Sequence, residues 1–272
     1  MTASSPAAVP TDHAAVAYDA TAPFYDQLSQ GDDYTVFGDI LETLIKRADP
    51  PGNRLLDAGC GTGRSTVAFA ERGFDPVGVD ISAGMIAVAR AKYADTGIGF
   101  HVHDLRLPFT ADGTYDVVLC MSDIVNYLAD PQHLREALAG IGRVTRPGGV
   151  LVFDANTARG YGLMTSTHVY EYDGLYATMS GRFLAREGEP RRFRMVMNAF
   201  RTSPGQPDVW RRERVEHLQR HHSHEEFAEA LDAAGLDLVA AHGLERDGSL
   251  SDRVDEDAHT KGLYVARRRA AG

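Results

Sequence analysis

Little in this sequence points to covalent staples, membranes or polyanions. Only two of its 272 residues are cysteines, Cys60 and Cys120, so no disulfide framework holds the chain, and a chain this long needs none to bury a core. No apolar run approaches the roughly 20 residues that span a bilayer. The first twelve residues are rich in Ala, Ser and Pro and lack the basic-then-apolar order of a secretion signal. A cytoplasmic protein without membrane contact is the expectation. Bases are outnumbered, 28 against 38 acids, and the formal net charge of −10 opposes a phosphate-tracking surface. Nucleic acid is therefore not an expected partner. Lysine is scarce: three of the 28 bases are lysines and the other 25 arginines. Arg191, Arg192, Arg194, Arg201, Arg211, Arg212 and Arg214 cluster but are interleaved with acids and apolar residues, and read as a solvated strand face. What remains is ordinary globular composition, 43 % hydrophobic and 24 % charged, which excludes wholesale disorder and a coiled coil. One large domain, or one with a subdomain, fits the length.

Residues 1–13 read as a disordered tail and residues 14–48 as a helical cover with aromatics at Tyr18, Phe24, Tyr25, Tyr34 and Phe37. The breakers Asp49-Pro50-Pro51-Gly52-Asn53 end it. Strand patterns follow at 54–58, 76–80, 99–102, 115–121 and 150–153, and helical patterns at 64–72, 83–92 and 131–145, the last closed by Arg146-Pro147-Gly148-Gly149. This alternation predicts a parallel sheet of right-handed βαβ units. From 168 to 220 the pattern changes to four strands with short turns, an antiparallel meander. Ser223 and Glu226 form a capping-box signature for a helix that Gly235 would stop, two more strands follow at 236–242 and 262–267, and an acidic loop at 245–259 joins them. The expected division is 49–156 with 223–272 as the α/β domain and 157–222 as an inserted antiparallel β lid subdomain.

The strongest local signal is Leu55-Leu56-Asp57-Ala58-Gly59-Cys60-Gly61-Thr62-Gly63, a strand running into a glycine-dense turn and then a helix. Glycines at alternate positions let backbone turn tightly and approach a ligand, and the helix start offers free N–H groups to an anion. A plain strand-to-helix turn would look similar. Asp80, about 20 residues on at the end of Val77-Gly78-Val79-Asp80, could accept both ribose hydroxyls of a nucleoside. As a helix cap it is less suited than Ser82. Asp104, after the next strand, could bind an exocyclic adenine amine, or be a loop acid. Three strand ends converging on one crevice fit the rule that open α/β sheets bind ligands beyond their carboxyl edges. Asp154 and Asn156 alone are not the clustered oxygens a metal needs, so no metal site is expected.

In this ordered set, with Met85-Ile86, Tyr115-Asp116-Val117-Val118 and Arg146-Pro147-Gly148-Gly149, residues 50–155 resemble the class I S-adenosylmethionine-dependent methyltransferases. The resemblance implies a Rossmann-like seven-stranded sheet whose last strand, near 263–267, runs antiparallel. It implies S-adenosyl-L-methionine as cofactor and S-adenosyl-L-homocysteine as product. Gly59, Gly61 and Gly63 would pack on the methionine part, Asp80 would take the ribose, Met85 would lie on the adenine and Asp104 would bind its amine. Tyr18, Asp57, Ile81, Leu105 and Cys120 are the remaining implied cofactor contacts. The segments Tyr18-Asp19 and Phe24-Tyr25-Asp26, and Cys120-Met121-Ser122-Asp123-Ile124-Val125-Asn126-Tyr127-Leu128, resemble the glycine and sugar-amine N-methyltransferases, which commonly carry histidine where Tyr127 stands. There the β insert lies over the acceptor.

Methyl transfer from a sulfonium is an in-line displacement in which the enzyme mainly aligns an acceptor lone pair. Aromatic faces attract the cation, a role open to Tyr18 and Tyr25 as alternatives to core packing. An amine acceptor needs only to be deprotonated before attack, whereas a hydroxyl needs a base. His217, His221, His222, His224, Asp123, Glu216 and His168 are candidate bases, with Tyr25, Tyr127, His217 and His221 the expected catalytic group. In a strand His217 and His221 share a face. The expected activity is methylation of a small-molecule amine, with O-methylation of a hydroxyl and non-catalytic cofactor binding as alternatives. A nicotinamide dehydrogenase would want G-x-G-x-x-G, and a DNA amino-methyltransferase an Asn/Asp-Pro-Pro-aromatic sequence after the fourth strand; neither is present. Monomer and homodimer both remain open.

Overall fold

The computed structural model describes residues 12–31, 34–109, 114–184, 191–203, 205–245 and 248–270, so residues 1–11 of the tail expected at 1–13 and the turn at 186–190 lie outside it, while Asp12 and His13 belong to the first helix and its cap. The expected helical stretch at 14–48 is three helices. Asp12 caps α1 (His13–Thr21) by accepting from the N–H groups of Ala14 and Ala15. Pro23, inside a 3-10 turn at Ala22–Phe24, separates α1 from α2 (Tyr25–Leu28), and α3 (Tyr34–Arg47) follows. Proline removes an N–H and suits the first turn of a new helix better than the middle of an old one.

The chain then alternates through β1 (Arg54–Ala58), α4 (Arg64–Glu71), β2 (Asp75–Asp80), α5 (Ala83–Lys92), β3 (Gly99–Val102), β4 (Tyr115–Cys120), α6 (Pro131–Val144) and β5 (Thr145–Asn156). After sheet B, described below, come α8 (His224–Ala233), β10 (Leu236–Gly243) and β11 (Lys261–Arg268). Sheet A has seven strands in the order β10-β11-β5-β4-β1-β2-β3, with β11 antiparallel to both neighbours as expected. The order reverses between β1 and β4, which places a ligand crevice beyond their carboxyl ends. Arg146-Pro147-Gly148-Gly149 follows the end of α6 at Val144, as expected of a helix stop. It forms a bulge inside β5, where the register with β4 slips between Tyr115 and Val117, and Gly148 takes φ +78°. A bulge absorbs the proline that a regular ladder would reject.

Both faces of sheet A are buried, which is why its strands read as continuous apolar runs. Leu56, Val118 and Phe153 pack under α6 and α8, and their alternates Leu55, Val117 and Val152 under α3 and α4. The Ser223–Glu226 capping box is present. A short helix that periodicity missed, α7 (Ala158–Leu163), is capped by Thr157. Six residues carry too little pattern to register.

Sheet B is the expected meander: β6 (His168–Tyr172), β7 (Leu175–Leu184), β8 (Arg192–Ser203) and β9 (Gln206–Arg220), each antiparallel to the next. Arg194 pairs with Glu216 across β8 and β9 on one face, while Arg201, on the opposite face with Met197 and Ala199, pairs with Glu213 and lies over the Phe24 ring; both pairs are partly exposed, where such contacts are worth only about 0.2–1 kcal/mol. This opposite face of sheet B buries Leu175, Ala177, Met197, Ala199 and Val215 against Ala17 of α1 and Phe24. Helix α1 also touches α5, so the N-terminal segment is a layer between sheet B and the crevice of sheet A. Among the described residues no helix is long and apolar enough to cross a membrane. Cys60 and Cys120 are buried free thiols.

Candidate active site

A crevice opens at the carboxyl ends of β1, β2, β3 and β4. At its floor the glycine turn follows β1, and the N–H groups of Gly59 and Cys60 donate to Val79 O at 2.7 and 2.9 Å. All three glycines have positive φ, +89° at Gly59, +54° at Gly61 and +83° at Gly63. Their surroundings differ. A Cβ on Gly59 would collide with Ile124 and one on Gly63 with Phe100, whereas one on Gly61 would enter open space. Gly59 and Gly61 line the crevice and Gly63 does not. Gly61 is thus the position where backbone is bared to a ligand, and Gly63 serves packing at the start of α4. Asp57 is buried, and one of its carboxylate oxygens accepts from Ser65 Oγ (2.6 Å) and Thr66 Oγ1 (2.7 Å), tying β1 to the start of α4.

Asp80 ends β2 with each carboxylate oxygen holding one backbone N–H: Gly61 to Oδ2 at 2.9 Å and Ser82 to Oδ1 at 2.8 Å. Each oxygen keeps acceptor capacity, and Asp80 lines the crevice. Burial is the main force lifting its carboxyl to about 6, against the pull of those two N–H groups. Ile81, Met85 and Leu105 also line the crevice. Asp104 lines it while bonded to Arg106, whose Nε and Nη2 reach the carboxylate and whose Nη1 pairs with Asp12 at 2.7 Å. Cys120 is not among the lining residues; its thiol packs in the core between sheet A and α6, because the alternation of β4 turns it inward.

Above this floor three aromatic side chains join in a line. Tyr18 Oη donates to Tyr127 Oη at 2.9 Å, and Tyr127 Oη is 3.0 Å from His217 Nδ1. The Tyr18 ring meets those of Tyr25, Tyr127 and His217 edge-on at 6.1, 5.6 and 5.3 Å. Tyr18, Tyr25 and Tyr127 line the crevice, and His217 stands behind them on the buried face of β9. Burial pushes both phenols, Tyr18 and Tyr127, well above the ordinary tyrosine range and pushes His217 down to about 4. At neutral pH the imidazole is therefore uncharged, and in the tautomer with the proton on Nε2 its bare Nδ1 accepts from the Tyr127 hydroxyl. His221 is not brought to this group: β9 ends at Arg220, and His221 Nε2 bonds Glu256 Oε2 at 2.9 Å instead. Asn126 is fully buried and structural, its amide donating to Arg220 O and its carbonyl accepting from Asn156 N–H.

The segment that carries Tyr127 starts from two consecutive non-glycine residues in the left-handed region, Ser122 (φ +64°) and Asp123 (φ +53°). Such backbone costs about 1–3 kcal/mol per residue and persists only where its surroundings enforce it. Asp154 accepts the Asp123 N–H at 2.7 Å, Lys261 Nζ bridges the Asp123 and Asp154 carboxylates at 2.8 and 2.6 Å, and Gln219 Nε2 donates to Asp123 at 2.6 Å. Burial alone would depress the Lys261 ammonium, but the two carboxylates hold it above the ordinary lysine range. No local pattern flags Lys261 or Gln219, or joins Asp154 to them, because they meet only through folding. Arg64 and Arg106, which also line the crevice, were equally invisible. Among the described residues no three His, Cys, Asp or Glu side chains gather as metal ligands.

Residues 55–149 match the family model described as a methyltransferase domain. The chain is 32 % identical over 143 residues to a dTDP-3-amino-3,4,6-trideoxy-alpha-D-glucopyranose N,N-dimethyltransferase of Streptomyces venezuelae, a match covering 53 % of this chain and 56 % of that protein. It spans about half the length of the curated relatives it matches. Likeness to solved structures extends further. The sugar N-methyltransferase KedS8 of a Streptoalloteichus species is 26 % identical, with 99 % of both chains covered and a TM-score of 0.70. CalS10, an amino pentose methyltransferase of Micromonospora echinaspora solved with S-adenosylmethionine bound, is 26 % identical over 90 % of this chain and 95 % of its own, with a TM-score of 0.67.

Proposed function

We propose that this chain, a member of the class I S-adenosylmethionine-dependent methyltransferases, transfers the cofactor's methyl group to the amine nitrogen of a small amino sugar. The observation that carries this reading is the Tyr18–Tyr127–His217 line on the wall of a crevice whose floor fits the cofactor. The fit rests on two features of the chain: the spare acceptor capacity of Asp80 and the open space over Gly61. Asp80 would hold the ribose and Asp104 the adenine amine, with Ile81, Met85 and Leu105 against the ring. Gly59, Gly61 and the Asp57-anchored turn would support the methionine part. Full-length likeness to sugar N-methyltransferases supports the acceptor class.

When bound, the cofactor supplies a methyl group already activated on a cationic sulfonium. The crevice suits a cation, with the acids Asp12, Asp57, Asp80 and Asp104 among its lining residues against Arg64 and Arg106. The rings of Tyr18, Tyr25 and Tyr127 add electron-rich faces. Tyr127 donates to neutral His217 and Tyr18 donates to Tyr127, so Tyr18 Oη keeps lone pairs that can accept an amine N–H and aim the nitrogen lone pair. An imidazole near 4 is a weak base. The line is therefore suited to orienting an amine rather than to stripping a proton from a hydroxyl, which favours nitrogen over oxygen. Sheet B would act as the lid of the acceptor pocket and the N-terminal helices as the cover of the cofactor.

A turnover screen over amino sugars, other amines and phenols, followed by variants with a working acceptor, tests this reading. Tyr127→Phe and His217→Ala are expected to lower kcat by roughly 10- to 100-fold through misplacement, with some activity left. A single residue whose loss removes a factor of about 10² to 10⁴ would instead indicate a general base and an oxygen acceptor. We also propose a cytoplasmic location, which two free buried thiols suit, and no nucleic-acid substrate. Salt-sensitive binding of duplex or single-stranded oligonucleotides at micromolar concentration is not expected, and a filter-binding titration checks it.

A further inference from the structure

Three aspartates of the N-terminal segment stand seven residues apart, Asp12, Asp19 and Asp26, and each reaches a different loop of the crevice. Asp19 Oδ1 accepts from Ser82 Oγ at 2.6 Å and from the Gly84 N–H at 2.8 Å. Asp26 Oδ1 accepts from Thr62 Oγ1 at 2.5 Å, and its other oxygen pairs with Lys92 at 2.5 Å. Asp12 Oδ2 pairs with Arg106, which in turn holds Asp104. Contact here is close: a Cβ on Gly84 would come within 3.2 Å of Asp19 Cα and Ala22 Cβ.

The loops that these acids hold are not arbitrary. The two backbone N–H groups that orient the Asp80 carboxylate belong to Gly61 and Ser82. Thr62, next to Gly61, is held by Asp26, and Ser82 itself is held by Asp19. Ser82 Oγ also accepts the Met85 N–H, so Asp19 fixes the hydroxyl that caps α5 as well. A carboxylate binds two hydroxyls well only when its plane is set in advance, and the charge-assisted bonds from Asp19 and Asp26 set the turns that define that plane.

We infer that Asp19 and Asp26 are positioning residues for the ribose-binding carboxylate, with Asp12 acting likewise on Asp104 through Arg106, so that the cofactor site is complete only while the N-terminal segment is docked. The inference rests on Asp80 being the ribose ligand. Undocking of the segment would loosen the ribose and adenine subsites together.

Titration of S-adenosyl-L-homocysteine into the full chain tests this. Asp19→Ala and Asp26→Ala are each expected to weaken binding about tenfold, with faster dissociation, as loss of charge-assisted hydrogen bonds predicts. Asp19→Asn should restore most of the affinity, because the amide oxygen can still accept from both Ser82 and Gly84. In an Asp80→Ala background Asp19→Ala should change little, since the group it positions is gone. Asp39→Ala, which removes an exposed acid of α3 paired with Arg72, is the control for charge loss and should bind as the unaltered chain does. If Asp80→Ala itself binds normally, the ribose assignment fails. If Asp80→Ala weakens binding but Asp19→Ala and Asp26→Ala do not, or if Asp19→Ala costs the same factor in the Asp80→Ala background, the positioning role is overturned.

Discussion

Lys261→Met is expected to lower the unfolding free energy by roughly 3 kcal/mol, the lower end of what breaking a buried ion pair costs, because about a quarter of the Lys261 side chain stays exposed. Asp154 is almost wholly buried, and the variant leaves it beside Asp123 with no cation between them. The Asp154 carboxyl is already raised by burial, with Lys261 opposing that rise. Without the ammonium, Asp154 takes up a proton more readily, so the gap between variant and unaltered chain should narrow as pH falls toward 4. Urea unfolding at several pH values measures this. Turnover should fall as well, by about tenfold, because Lys261 helps hold Ser122 and Asp123 in the left-handed region from which the Tyr127 segment departs. A stable variant with full activity would show that the turn holds without the ion pair.

Asp80→Ala is expected to weaken cofactor binding by roughly 1–3 kcal/mol, about 5- to 150-fold, because ribose hydroxyls are left unpaired in the crevice. Calorimetry on the variant measures it. The unaltered chain should also show a pH signature. With the free carboxyl near 6, its ionised form, the better acceptor, is lost as pH drops through that value. Affinity should then fall by up to about tenfold per pH unit. Stability of the cofactor-free protein responds to this group in the opposite sense. A folded-state pKa raised above the unfolded one means that burial penalises the charged form at neutral pH, and the penalty lifts as pH falls from 6 toward 4. Asp80→Asn should flatten both dependences. Affinity that does not change between pH 7 and 5 would remove Asp80 from the ribose site.

Much of the sheet was legible in the chain because its signals are local. The Leu55/Leu56 and Val117/Val118 alternation buries both faces of each strand, so apolar runs announced buried parallel strands. Asp80 was legible because it closes such a run beside a glycine turn. Local signals also misled. Arg146-Pro147-Gly148-Gly149 does stop α6, but the strand expected to start at 150 already starts at Thr145, because β4 draws the same segment into a bulged strand. His217 and His221 would share a face only in a continuing strand, but β9 ends at Arg220 and the His221 ring goes to Glu256 instead. Glycine spacing likewise could not separate Gly61, bared to the crevice, from Gly59 and Gly63, which answer to Ile124 and Phe100.

Sequence alone determined the βαβ order, the change to a meander after residue 156, and the acids at three strand ends, because period, turn chemistry and strand termination act over a few residues. Tertiary structure decided which polar groups meet. The line from Tyr18 to His217 joins residues 109 and 90 apart, and Lys261 reaches Asp123 across 138. The three aspartates at 12, 19 and 26 carry no signal of their own until docking lays each on a separate loop of the crevice. Pairings at that separation depend on how sheets and helices stack, and stacking is set by the whole core rather than by any segment.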